Sequence, residues 1–135
     1  SLFTQTLAHP SGIRASLIFR LPSTSPDSVS EWEHCYLFSI GSGLDGLKGR
    51  AHGGLSSLLL DHVTGAIAHH ETGEQAIPPV TATMQLDYRA PIDTPGVILA
   101  RAWPVERSGR KMWVKSVLED GQGKVLVEAK SLFVK

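Results

Sequence analysis

The sequence predicts an α+β fold in which an antiparallel sheet wraps around one long central helix. Three observations carry this expectation. A paired glycine, Gly53-Gly54, opens a strongly apolar segment with helical periodicity. Four later segments read as strands, and the connections between them are short and rich in turn residues. A long apolar helix and a sheet with one apolar face then have one economical packing, with the sheet curled around the helix. At 135 residues the chain suits a single domain, 1–135, with a sizeable core. It shows no internal repeat and no linker.

The elements follow in order. Ser1 to Ser11 carries few strong signals, and the first forty residues are the least informative. Arg14 to Leu21 reads as a first strand. Pro22 to Ser28 is a loop by composition. Glu33 to Ile40 is rich in aromatic and β-branched residues and reads as a strand. Gly41 to Arg50 holds four glycines in ten residues. It lacks the GxxxxGK[ST] spacing of a phosphate loop, which argues against a nucleoside triphosphate site.

The helix is expected from about Gly54 to His70. At about 100° per residue, Leu55, Leu58, Leu59, Val63, Ala66 and Ile67 share one broad apolar face. Ser57, Asp61, Thr64, Gly65 and Ala68 fall on another. That second face is small and polar, where a solvated face would carry Lys, Arg and Glu. It suits close approach of a ligand or a second helix. Glycines at the loop-to-helix junction let a ligand reach the free N–H groups of the first turn. Those groups hold the positive end of the helix dipole and suit an oxygen that becomes negative. Asp61, two turns along, can handle a proton or a water; the plain alternative is an exposed, solvated aspartate. His69 and His70 suit the negative end of the dipole. His62 and His70 are too far apart for the i, i+4 pair of a helical zinc motif, and no metal site is expected. Gly73 and Pro78-Pro79 end the helix.

The remainder reads as four strands. Val80 to Tyr88 alternates with the period of a half-buried strand. Ala90 to Gly96 is a turn. Val97 to Val105 is the next strand, ended near Pro104, and Glu106 to Gly109 turns the chain. Lys111 to Glu119 and Lys124 to Val134 follow, joined by the Asp120-Gly121-Gln122-Gly123 hairpin loop. A simple meander of these four is the default. Trp103 and Trp113 read as packing residues.

Composition narrows the function. Thirteen basic and thirteen acidic side chains cancel, and no basic block exceeds Arg110-Lys111, which argues against nucleic acid. The lone Cys35 allows no internal disulfide and no cysteine-based zinc cluster, and reads as a small buried hydrophobe. That usage fits a reducing, intracellular compartment, cytoplasmic or organellar. No apolar run approaches the ~20 residues of a membrane span, and no leader segment is visible.

With these elements in place, the sequence resembles the hotdog-fold acyl-CoA thioesterases, in the branch of the phenylacetic-acid-pathway and THEM-type enzymes. The resemblance rests on His52-Gly53-Gly54 with Asp61 nine residues after the histidine. It continues through Leu86-Asp87-Tyr88-Arg89-Ala90-Pro91, the turn Ser108-Gly109-Arg110-Lys111 and the closing pair of strands. It covers roughly Gly41 to Val134.

The resemblance implies a hotdog fold and hydrolysis of an acyl-CoA to a free acid and CoA. No cofactor or metal is implied beyond the CoA of the substrate. Gly53, with Gly54 nearby, would polarise the thioester carbonyl as an oxyanion hole. Asp61 would come from a partner subunit and activate water or attack directly. Thr81 would help hold the water, and His52 would orient the loop. A free aspartate has a pKa of ~3.9, so burial would have to raise it for base catalysis. Arg107, Ser108, Gly109, Arg110 and Lys111, with Arg50 before the motif, would meet the CoA phosphates. The active site would cross a homodimer interface, and tetramers of two dimers are common among relatives. Some relatives place an Asn six residues before the histidine; here Gly46 stands there, beside Asp45. Two alternatives belong to the same fold. One is a hydratase or dehydratase, which pairs a His with an acid. The other is a non-catalytic module that binds acyl-CoA.

Overall fold

The computed structural model describes residues 1–73 and 77–135. Strands β1 (Ile13–Pro22) and β2 (Trp32–Ile40) come first. A short ribbon of β3 (Asp45–Leu47) and β4 (Arg50–Ala51) leads into helix α1 (Gly53–Thr72). Strands β5 (Val80–Tyr88), β6 (Gly96–Ser108), β7 (Lys111–Glu119) and β8 (Val125–Val134) complete the chain. Six strands form one antiparallel sheet in the order β1-β2-β6-β7-β8-β5, and the single long helix packs against it. Among the described residues, no helix is long and apolar enough to cross a membrane.

Three expectations need correction here. The four later strands are not a simple meander. β6, β7 and β8 are consecutive neighbours, but β5 pairs with β8, and β2 takes the place beside β6. The turn from Ala90 to Pro95 therefore carries the chain from one edge of the sheet to its middle. This leaves β5 as an edge strand whose residues are mostly exposed, with only Met84 and Leu86 half-buried.

The second correction concerns Pro104. Strand β6 runs through it to Ser108, with an irregularity in its pairing to β7 between Pro104 and Glu106. Its partner β2 pairs only as far as Ala102, so no ladder partner demands the N–H that proline lacks. The hairpin turn is consequently Gly109-Arg110, between the paired Ser108 and Lys111. Gly109 has φ 59°, at the first central position of the turn, where glycine is favoured.

The third concerns the helix faces. Leu55, Leu59, Leu60, Val63 and Ile67 are buried, and so are Ser56, Thr64 and Ala68. The small residues turn toward the sheet, where they let the helix approach closely. Leu58 and Ala66, expected in the core, are only half-buried on its flank. Opposite them Phe38, Ala100, Ala102, Val114, Leu118, Val127 and Phe133 close the core. Truncating a fully buried side chain such as Leu59 costs ~2–5 kcal/mol. Cys35 is fully buried on β2, and burial pushes its thiol up to about 11.

The first eleven residues hold more structure than the sequence suggests. Leu2–Thr6 forms a π-helical turn capped by the Ser1 hydroxyl. Phe3 stacks on His62 with ring centroids 3.8 Å apart. Burial lowers the His62 pKa, against the pull of Asp61.

Candidate active site

The helix N-terminus is assembled from three directions. The Ala51 N–H donates to the Ile92 carbonyl, and the His52 N–H to the Leu44 carbonyl, each at 2.9 Å. His52 is the N-cap. Its Nδ1 accepts from the Gly54 N–H at 2.8 Å, and its carbonyl accepts from the Leu55 N–H at 2.9 Å. Only an unprotonated Nδ1 can accept, so the imidazole carries its proton on Nε2. Among the described residues the Gly53 N–H has no partner. A first helical turn leaves its amides unpaired unless something caps them. Here capping is selective and leaves one exposed donor on the positive end of the dipole.

This arrangement divides the glycine pair. Gly54 is committed to His52, and Gly53 alone offers a donor. A Cβ at Gly54 would sit 3.0 Å from the His52 Nδ1, so the cap also explains the second glycine. The Gly53 carbonyl accepts from the Tyr88 hydroxyl at 2.7 Å. Tyr88 was in the motif that carries the resemblance, but nothing in the sequence marks it as a partner of the helix.

Asp61 lies two turns along the helix, exposed in the single chain. Its Oδ1 accepts from the Thr81 hydroxyl at 2.7 Å. Thr81 therefore meets the aspartate of its own chain. The burial expected to raise Asp61 is not supplied by this chain. Eight residues of helix separate Gly53 from Asp61, about 12 Å along the axis.

Asp45 is not a free charge beside the site. Its carboxylate accepts from the Gly49 N–H at 3.0 Å and from the Thr94 hydroxyl, and so closes the glycine-rich loop. Gly46 is in close contact with His52: a Cβ there would sit 3.2 Å from the His52 Cα. The side chain that some relatives carry at this place would crowd the capping histidine in this arrangement.

An apolar depression of about 290 Å³ borders the helix start, lined by Leu7, Leu44, Leu55 and Leu58 beside His52 and Gly54. The expected phosphate contacts lie elsewhere. Arg110 and Lys111 line a small cavity of about 70 Å³ at the far end of the helix, with Gly109, Arg107 and Lys135. Ser108 precedes that turn as the last residue of β6. Arg107 is engaged by Glu71, and Arg50 by Asp93 at 3.3 Å. Sequence reasoning missed Lys135, because it joins the turn only through its backbone N–H on the Arg110 carbonyl, at 2.9 Å.

His69 and His70 occupy the last turn of the helix, where the sequence placed them. His70 lies against His34, ring centroids 5.3 Å apart, and the His69 Nε2 is buried without a partner among the described residues. Trp103 donates its indole N–H to Asp27 at 3.0 Å, and Lys130 lies over the Trp113 ring. Both tryptophans thus sit in contacts within the fold.

Comparison with known proteins gives a consistent answer. A family model described as the thioesterase superfamily matches residues 48–127. The acyl-coenzyme A thioesterase THEM4 of Rattus norvegicus is 30% identical over 100 residues, 73% of this chain and 41% of that protein. Its counterpart in Mus musculus is 31% identical over the same shares. The chain thus spans about two fifths of the length of these curated relatives. Among solved structures, a thioesterase superfamily protein superposes with a TM-score of 0.68 at 26% identity, covering 76% of this chain and 49% of that one. A hypothetical thioesterase of Streptococcus pneumoniae, crystallised with coenzyme A, has a TM-score of 0.70 at 15% identity, covering 90% and 89%. At that identity the likeness shows the fold.

Proposed function

The chain belongs to the thioesterase superfamily, and from that premise we propose that it hydrolyses an acyl-CoA thioester to a carboxylic acid and CoA. The observation that carries the reading is the single unpaired Gly53 N–H on the helix N-terminus, with a carboxylate on the same helix. Water attacks the thioester carbonyl, and Asp61 accepts its proton; direct attack by the carboxylate, followed by hydrolysis of the anhydride, gives the same products. Negative charge gathers on the carbonyl oxygen and is met by the Gly53 amide. The C–S bond then breaks, and the CoA sulfur takes up a proton. Removing one oxyanion donor typically costs 10²- to 10³-fold in kcat.

Distance decides where the two groups meet. Reacting atoms must lie ~3–3.5 Å apart, and about 12 Å separates Gly53 from Asp61 along one helix. A second copy with its helix antiparallel brings its Asp61 beside this chain's Gly53. The same contact covers the exposed Asp61 and supplies the burial a base needs. It also brings the basic turn of one chain toward the leucine-lined depression of the other. Arg110, Lys111 and Lys135 are the cations left for the CoA phosphates, since Arg107 and Arg50 are already paired. Thr81 holds the carboxylate of its own chain and so orients it. His62 stacks on Phe3, which sets the hydratase reading below hydrolysis, since Asp61 then lacks an imidazole to pair with.

The test measures CoA release from short-chain, medium-chain, long-chain and aromatic acyl-CoAs. Asp61→Asn keeps the shape and removes the charge, and is expected to abolish turnover with folding intact. Gly53→Pro removes the free N–H. Co-expressed, the two inactive variants should regain about half the wild-type rate per mixed dimer, because one of its two sites is then intact. A mixture that stays inactive would refute the shared site. Wild type that turns over no thioester would refute the hydrolase.

A further inference from the structure

Tyr88 ends β5 and is 57% exposed, too open for packing alone to explain a large aromatic there. Its hydroxyl nevertheless donates to the Gly53 carbonyl at 2.7 Å. Its ring also flanks the first helical turn: a Cβ on Gly53 would sit 3.7 Å from the Tyr88 Cε1. The strand end is itself anchored. Tyr88 is paired with Val127, and the next two amides, Arg89 and Ala90, both donate to the Leu126 carbonyl, at 2.9 and 3.1 Å.

The Gly53–Gly54 peptide is therefore held at both ends. Its carbonyl accepts from Tyr88, and its N–H donates to the His52 Nδ1. A peptide unit is a rigid plane, so two hydrogen bonds at opposite ends fix its rotation. The flanking residues are glycines, whose own torsions are the least restricted of any residue. The Gly53 N–H belongs to the preceding peptide, whose His52 carbonyl accepts from the Leu55 N–H; the two planes hinge at the Gly53 Cα, and holding both sets the direction of the donor. The same strand carries Thr81, which holds Asp61. β5 thus touches the helix at both chemically marked places, running antiparallel to it.

Resting on the hydrolase reading, we propose that Tyr88 is a positioning residue: its hydroxyl, through the Gly53 carbonyl, aims the Gly53 N–H at the thioester oxygen. It touches neither the substrate nor the attacking water. Its loss should lower kcat and leave substrate binding alone. The effect should also be smaller than loss of the donor itself.

The experiment compares wild type, Tyr88→Phe and Tyr88→Leu in CoA release and in amide hydrogen exchange. Tyr88→Phe keeps the ring and removes the hydroxyl. It should lower kcat about tenfold with KM within about twofold, against the 10²- to 10³-fold expected for losing the donor. Exchange at Gly54 should quicken while the helix beyond Leu58 keeps its protection. Tyr88→Leu should match Tyr88→Phe in kcat. A Tyr88→Phe enzyme with wild-type kcat overturns the proposal, as does Tyr88→Phe near wild type with Tyr88→Leu impaired, which assigns the effect to the ring. A raised KM with unchanged kcat overturns it too, because Tyr88 would then touch the substrate. Wild type inactive on every thioester removes the hydrolase reading and this role with it; failure confined to Tyr88→Phe in an active enzyme removes only the role.

Discussion

The two ends of the central helix face the same problem and solve it differently. At each end backbone groups lack a partner within the helix. At the N-terminus, His52 takes the Gly54 and Leu55 amides, and the Gly53 N–H is left open to solvent. At the C-terminus two carbonyls are covered: the Thr72 hydroxyl donates to the His69 carbonyl at 3.0 Å, and the Gly73 N–H to the His70 carbonyl at 3.2 Å. Side chains add to this closure. Arg107 grips Glu71, and His34 packs on His70. An unpaired donor at one end, with two capped acceptors at the other, is the asymmetry the hydrolase reading expects of a helix that stabilises charge at its start. On the hydrolase reading the N-terminus serves chemistry, while the contacts at the C-terminus serve stability.

The largest effect should come from closing the open end. Gly53 is the first helical residue, where proline is well tolerated, and His52 before it has φ −60° and ψ 137°, which suits a following proline. Gly53→Pro therefore removes the one free donor and keeps the helix. Its kcat should fall 10²- to 10³-fold, with a helical circular-dichroism signal like wild type. A fall of less than tenfold would break the contrast between the two ends.

The opposite change, at the closed end, should cost stability and spare turnover. Gly73 has φ 98° and ψ 137°, a conformation nearly confined to glycine. A Cβ there would meet nothing within 4 Å, so the penalty of Gly73→Ala is backbone strain alone. Denaturant unfolding should show a loss of about 1–3 kcal/mol. The kcat per folded molecule should stay as in wild type.

The smallest effect is a pH dependence seated at the same end. Burial lowers the His34 pKa, with His70 and Arg20 acting the same way and Glu71 opposing. A histidine with a lowered folded pKa binds its proton more readily when unfolded. Its contribution is therefore intact above the unfolded value of about 6.5 and is lost as pH falls through that value toward the folded one. Unfolding midpoints between pH 7.5 and 5 should drop in wild type and drop less in His34→Gln. Equal slopes would assign the acid sensitivity elsewhere, with His62, whose pKa is also lowered, as the next residue to test.

Local signals account for much of what was readable in the chain. The helix extends the expected Gly54–His70 by one residue at its start and two at its end. The strands near Arg14, Glu33, Val80, Lys111 and Lys124 are all present. Their periodicity and turn residues act over a few neighbours. Strand neighbours were less legible, because pairing is set by contacts far apart in sequence. No local feature says that β5 joins β8 while β2 sits beside β6. Pro104 misled for the same reason: whether a proline breaks a strand depends on whether a neighbour needs its N–H.

The candidate site divides along the same line. The sequence alone marked the candidates for the chemistry, because His52-Gly53-Gly54 and Asp61 lie within one loop and two turns of helix. Tertiary structure decided which partners each of them has. It committed Gly54 to the cap, left Gly53 free and set Thr81 on Asp61. It turned Asp45 and Arg107 inward to partners, and it brought Tyr88 to a carbonyl 35 residues away. The physical reason is that a side chain's type is a local property, whereas the occupancy of a hydrogen-bonding group depends on every element folded against it.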